Sequence, residues 1–209
     1  MARLPTGISV LDRQLGGGIP SGSIVALTAS PASQVELFLY ELTAARGTLY
    51  LTTIRSEEAV RDGIERSTTR VGDPTIRDIG GDTALDLDHA NDLIATLPEE
   101  ANLIIDAVDP LERHDTARYR RFLNTLQTHM TNTGSVAVIH AMKGRDIPSN
   151  RDLTEHVADV VFDLHTEVTA NEVINRLAVP KFRGGAALDE PVKLKLAESV
   201  TIDTSRDIA

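Results

Sequence analysis

The stretch from Leu27 to Leu37, LTASPASQVEL, constrains the fold more than any other. An apolar run from Ser23 to Leu27 leads into it and reads as a strand. Val35 to Ala45 leaves it with helical spacing of apolar residues and reads as a helix. Strand, tight loop and helix in that order is the setting of a phosphate-binding P-loop, G-x-x-x-x-G-K-S/T. Laid on that pattern, Ala29 takes the first glycine position, Gln34 the second, Val35 the lysine and Glu36 the hydroxyl residue. All four depart from it. Ser30, Ala32 and Ser33 complete the candidate vestigial loop.

The departures matter chemically. The glycines of a P-loop let backbone N–H groups wrap phosphate oxygens, the lysine supplies charge to the outer phosphates, and the hydroxyl holds magnesium. Val35 has no charge to give. Glu36 sets a negative charge at a helix N-terminus, where the helix dipole itself stabilises a carboxylate and phosphate would otherwise sit. Taken alone, the loop fits an ordinary strand–turn–helix that never bound nucleotide.

The preceding residues read PTGISVLDRQLGGGIPSGSIVAL from Pro5 to Leu27. Ile8, Leu11 and Leu15 share a helical face, Gly16–Gly18 stop the helix, and Pro20-Ser21-Gly22 is a turn before the strand. In Thr6, Gly7, Leu11, Asp12, Leu15, Gly16, Gly17, Gly18 and Gly22 this stretch resembles the start of the RecA-like core of KaiC-like and RadA-like ATPases. The resemblance implies an α/β, three-layer RecA-like fold with a central, mostly parallel sheet and C-terminal antiparallel strands, in one domain over residues 1–209.

It also implies where a nucleotide site would lie. The second strand, Thr48 to Thr52, ends in this family in two glutamates, one of which activates the attacking water. Those positions are Ile54 and Arg55 here, and neither takes a proton at neutral pH. Glu57 and Glu58 follow Ser56, which reads as an N-cap, and so read as helix-start acids; a register slip would bring Glu57 into the site. Leu103-Ile104-Ile105-Asp106 resembles the strand whose terminal aspartate holds the magnesium shell, making Asp106 the one candidate metal residue. His140 ends the strand Ser135–Ile139, where RecA-like proteins carry a polar sensor; a hydrogen-bonded structural histidine is the plainer reading. Lys143 to Arg151 corresponds to the DNA-facing loop of RecA and RadA. It carries three basic and one acidic residue, with Asp152 following, and no aromatic to stack a base. Lys181-Phe182-Arg183-Gly184 resembles the family's K-x-R-G, in which the basic pair reaches across a subunit interface to the neighbour's nucleotide. The alternative is a solvated strand, or pairing with Asp189 and Glu190.

Composition narrows the classes. The 209 residues suit one domain with a sizeable core, with no cysteine for a disulfide or thiolate metal site. The formal net charge is -10, and only four of the 21 basic residues are lysines. Such a surface resembles proteins of salt-loving archaea and is a poor non-specific partner for nucleic acid. No apolar run has transmembrane length and the start has no signal-peptide shape, so a cytoplasmic location is expected. Together these readings predict a non-catalytic pseudo-ATPase serving as an assembly or regulatory subunit. It would form a homo-oligomer, or a hetero-oligomer with an active paralogue, and need no cofactor. The rivals are an ATP- and magnesium-binding switch or ATPase with an unusual loop, and a RadA-like DNA recombination and repair accessory.

Overall fold

The computed structural model describes residues 2–80, 86–196 and 200–202. The chain opens with β1 (Arg3–Leu4), α1 (Ser9–Gln14) and β2 (Ile19–Pro20), where β1 and β2 form a small antiparallel pair. Gly18 must be glycine here: its φ is +116°, and a Cβ would lie 2.3 Å from the Leu4 carbonyl oxygen. β3 (Ile24–Ala29), α2 (Val35–Thr43), β4 (Thr48–Thr52), α3 (Glu57–Arg66), β5 (Thr75–Asp78) and α4 (Asp86–Ile94) follow. Then come β6 (Asn102–Asp106), α5 (Asp109–Glu112), α6 (Thr116–Thr133), β7 (Val136–Met142) and α7 (Arg151–Val157). The chain ends in β8 (Val160–Val168), β9 (Val173–Phe182), β10 (Val192–Leu196) and β11 (Val200–Ile202).

Nine strands form one sheet in the order β11-β10-β9-β8-β3-β7-β6-β4-β5. The contacts from β8 to β5 are parallel and those from β8 to β11 antiparallel, as the sequence reading expects. Side-chain parity builds the layers. Val25 and Leu27 face one core with α1, α2 and α3, where Leu11, Phe38 and Val60 are fully buried. Ile24 and Ala26 face the other, with Ala90 of α4 and Leu123 and Leu126 of α6. Burial on both faces is why β3, β6 and β7 read as nearly continuous apolar runs, whereas β10, open on one face, alternates.

Several elements depart from expectation. Residues 151–157 read as the end of a loop and the start of a strand, yet they form α7, and β8 begins only at Val160. This short helix packs only Leu153 and Val157 on the core and is anchored by a buried arginine, so periodicity misses it. The short α5 was also not anticipated, and Pro110 is in its first turn. Ser56 caps α3 as read, its hydroxyl accepting from the Ala59 N–H at 3.2 Å. The glycine turn read at residues 80–82 and the tail from Asp203 fall wholly or partly outside the described residues.

Candidate functional site

The carboxyl ends of β3, β4, β6 and β7 lie side by side, which is where ligands bind in open parallel sheets. A cleft of about 220 Å³ opens there. Pro31, Val35 and Glu36 come from the loop and first turn of α2, Ile54 and Arg55 from the end of β4, and Asp106 and His140 from the ends of β6 and β7. The sequence-predicted loop, the Ile54–Arg55 pair and Asp106 therefore do converge.

The loop folds onto itself. Ser30 accepts three bonds: its carbonyl takes the Ser33 N–H at 2.9 Å and the Ser33 hydroxyl at 2.6 Å, and its Oγ takes the Ala32 N–H at 3.3 Å. Two backbone donors that a phosphate loop would present are thus spent locally. Ala29, the last residue of β3, is fully buried, Gln34 occupies the N-cap without a side-chain bond, and Val35 is buried. Glu36 is half-buried and makes no hydrogen bond or ion pair with the described residues.

A lysine does stand nearby. The Lys143 N–H donates to the Ala29 carbonyl at 2.6 Å, at the base of the loop, but its ammonium donates to Asp163 Oδ1 at 2.5 Å. Asp163 also accepts from the Thr28 hydroxyl at 2.7 Å and meets His165 Nε2 at 2.6 Å. Burial raises the Asp163 carboxyl, but the bonds from Lys143 and Thr28 outweigh it and hold the group below its ordinary range.

Asp106 is fully engaged. Its Oδ2 accepts from the Tyr50 hydroxyl at 2.5 Å and from Arg55 Nη2 at 2.8 Å, and its Oδ1 accepts from His140 Nδ1 at 2.7 Å. Burial pushes this carboxyl up, but the bonds from His140 and Tyr50 and the Arg55 charge prevail and hold it at about 2. Burial lowers the Arg55 guanidinium, an effect that Asp106 more than reverses. Burial drives the Tyr50 phenol well above its usual range, reinforced by Asp106. A carboxylate accepts only, so His140 donates through Nδ1, and its Nε2 is buried without a partner in the structure. The plain reading of His140 thus holds at one nitrogen and leaves the other open.

Other residues singled out in the sequence lie elsewhere. Glu57 does not slip into the cleft: its Oε1 accepts from the Asp78 N–H of β5 at 3.3 Å. Lys181 and Arg183 sit at the amino edge of the sheet and cap α7. Lys181 Nζ donates to the carbonyls of Glu155 and His156, each at 2.8 Å. Arg183 donates to the His156 carbonyl at 2.9 Å, the Val157 carbonyl at 3.1 Å and Asp159 Oδ1 at 3.4 Å. The anticipated pairing with Asp189 and Glu190 is replaced by these bonds. In the loop from Lys143 to Arg151, Lys143 is spent on Asp163 and Arg151 is buried against Asp109 and Glu112.

The Arg151 network was missed by sequence reading. Its Nε meets both Glu112 oxygens at 3.0 and 2.9 Å, Nη2 donates to Asp109 Oδ1 at 2.8 Å, and Nη1 to the Met142 carbonyl at 2.7 Å. Thr154 and Tyr119 extend it, and Asp109 Oδ2 takes the Met142 N–H. It fixes the end of β7 beside the cleft. No sequence spacing announces it, since its members are contributed by α5, α6 and α7.

The residues present do not match a magnesium–nucleotide site: Val35 and Glu36 stand at the lysine and hydroxyl positions, Glu36 opposes phosphate, and Asp106 already holds three donors. No cluster of three or more His, Asp or Glu among the described residues is suited to a metal.

A family model with the description "Family of unknown function (DUF7125)" matches residues 3–209. The chain is 30% identical over 198 residues to the "DNA repair protein RadA" of two Mycobacterium tuberculosis strains, CDC 1551 / Oshkosh and ATCC 25618 / H37Rv. The match takes in 88% of this chain but 40% of theirs. Among solved structures, a KaiC-like protein of the hyperthermophilic archaeon Pyrococcus horikoshii OT3 superposes with a TM-score of 0.77 at 15% identity, over 97% of this chain and 99% of that one. The fold is therefore the RecA/KaiC-like one.

Proposed function

The chain belongs to the DUF7125 family, and we propose that its RecA/KaiC-like core works as a non-catalytic assembly or regulatory subunit. The carboxyl edge of the sheet then serves as a docking surface rather than a nucleotide site. One observation carries this reading: the Arg55 guanidinium lies 2.8 Å from Asp106. An internal cation supplies the charge compensation that magnesium would bring, and Ile54 stands where the resemblance places a water-activating glutamate. The self-bonded turn at residues 30–33, and a Glu36 side chain with no ion pair among the described residues, add to the case.

On this reading the protein works in the cytoplasm, bound to copies of itself or to an active paralogue, and takes neither ATP nor magnesium. No helix among the described residues is long and apolar enough to cross a membrane, which agrees with that setting. Calorimetric titration with ATP and magnesium at native salt tests the reading. No heat of binding is expected. Micromolar binding, or turnover that disappears on Asp106→Ala, overturns it.

A second reading, a DNA repair accessory, draws on the likeness to the DNA repair protein RadA of Mycobacterium tuberculosis. Against it, Lys143 and Arg151 of the loop that would face DNA are spent on internal carboxylates. Salt-sensitive retention of single-stranded DNA, lost on Arg145→Ala, would restore it.

A further inference from the structure

Among the described residues, two polar groups at the cleft have no partner. Glu36 in the first turn of α2 makes no hydrogen bond or ion pair with the described residues, and His140 Nε2 is buried and unbonded while the residue is only 5% exposed. A buried polar atom without a partner is destabilising, and His140 is one of the residues that line the cleft, so a ligand entering there can complete the bonding. We propose that the cleft is a socket for a basic side chain, arginine or lysine, of a partner protein. This rests on the docking reading above.

The charges select the ligand. Arg55 and Asp106 neutralise each other, which leaves Glu36 as the uncompensated charge facing the space. With Nδ1 engaged by Asp106, His140 offers Nε2 as its second polar atom. The Glu36 carboxylate rejects an anion and accepts a guanidinium or ammonium. The remaining walls, Pro31, Val35, Ile54 and Met142, are apolar and suit the aliphatic stem that such side chains lay along apolar surface.

Size and setting select the source. The cleft of about 220 Å³ is smaller than the roughly 300–1,000 Å³ of drug-sized pockets. Ile54 stands 59% exposed at its wall, an apolar contact that a covering protein would bury. A partner offering a basic group also complements a chain of net charge -10.

The test uses the whole protein with methyl and imidazole labelling. The tripeptide Gly-Arg-Gly is titrated against Gly-citrulline-Gly, which keeps the shape and loses the charge, and against agmatine, a free guanidinium. The expected result is saturable shifts at the Met142 and Ile54 methyls and at His140 Nε2. Citrulline should bind at least tenfold more weakly, and Glu36→Gln should lose at least tenfold while Ser30→Ala does not. No saturable shift, equal binding of citrulline, or full binding by Glu36→Gln overturns the socket. Agmatine binding more tightly than the tripeptide overturns the protein source and assigns a small-molecule site. Any of these failures leaves the non-nucleotide reading standing. That reading falls separately, if ATP and magnesium shift the amides of residues 30–34.

Discussion

The Arg55 guanidinium sits 2.8 Å from the Asp106 carboxylate at the wall of the cleft, and that carboxyl is held at about 2. The folded-state value is depressed below the ordinary 3.8. The stabilisation is therefore fully present above about pH 4 and is lost as pH falls toward about 2. A shift of this size is worth about 2 kcal/mol. Asp106→Asn should lower stability by about that much at pH 7, and the gap to the native protein should close between about pH 4 and pH 2. Urea unfolding across that range measures it; a pH-independent gap would remove the ion-pair account.

Rebuilding the loop should not rebuild an enzyme. Ala29→Gly, Gln34→Gly, Val35→Lys and Glu36→Thr together restore the P-loop residues, and ATP binding is the most they should recover. Ile54 and Arg55 still give the water no base, and Glu57 is directed to the Asp78 N–H of β5. Phosphate release should stay at the buffer rate. Turnover by the quadruple variant would reveal a base elsewhere.

The layers and the parallel core were legible because buried strands are continuous apolar runs and α1, α2 and α6 carry clear apolar faces, and the antiparallel extension because β9 and β10 alternate apolar with polar residues. The convergence of Ala29–Glu36, Ile54, Arg55 and Asp106 was legible through motif order. The bonding was not. Tyr50 reads as one more apolar residue of TLYLT, yet its hydroxyl reaches Asp106. Arg55 reads as the loss of a base, with nothing in the sequence to say that it would fill the charge gap. Helix α7 was illegible because its apolar face is only Leu153 and Val157, and Arg151, Lys181 and Arg183, spread over more than thirty residues, supply the rest of its hold.

Lys181 and Arg183 cap a helix, and their loss should be felt there. Their bonds to the carbonyls of Glu155, His156 and Val157 satisfy the last turn of α7 and oppose its dipole. Both heads are largely solvated, so Arg183→Ala should cost only about 1 kcal/mol. Amide exchange should quicken at residues 155–159 and nowhere near the cleft. If the same variant instead abolishes stimulation of an active paralogue's ATP hydrolysis without changing that exchange, the pair acts across an interface as the family resemblance suggests.

Arg151 should be the most sensitive position outside the apolar core. It is 5% exposed and binds Glu112, which is fully buried, and Asp109 at once. Burial raises the Glu112 carboxyl even though the Arg151 and Thr154 bonds pull it down. Arg151→Met keeps much of the volume but strands two carboxylates, and breaking a buried pair in this way costs about 3–5 kcal/mol. For a chain of this length that is a fall in Tm of roughly 10 °C. Glu112→Gln with Arg151→Met should recover part of the loss, because only Asp109 is then left without its cation. Lys at position 151 should not rescue, since one ammonium cannot reproduce the bonds of Nε to Glu112, Nη2 to Asp109 and Nη1 to the Met142 carbonyl. Thermal unfolding of the three variants decides it: a Lys variant as stable as the native protein would mean that charge alone, and not the guanidinium fork, holds α7 to the end of β7.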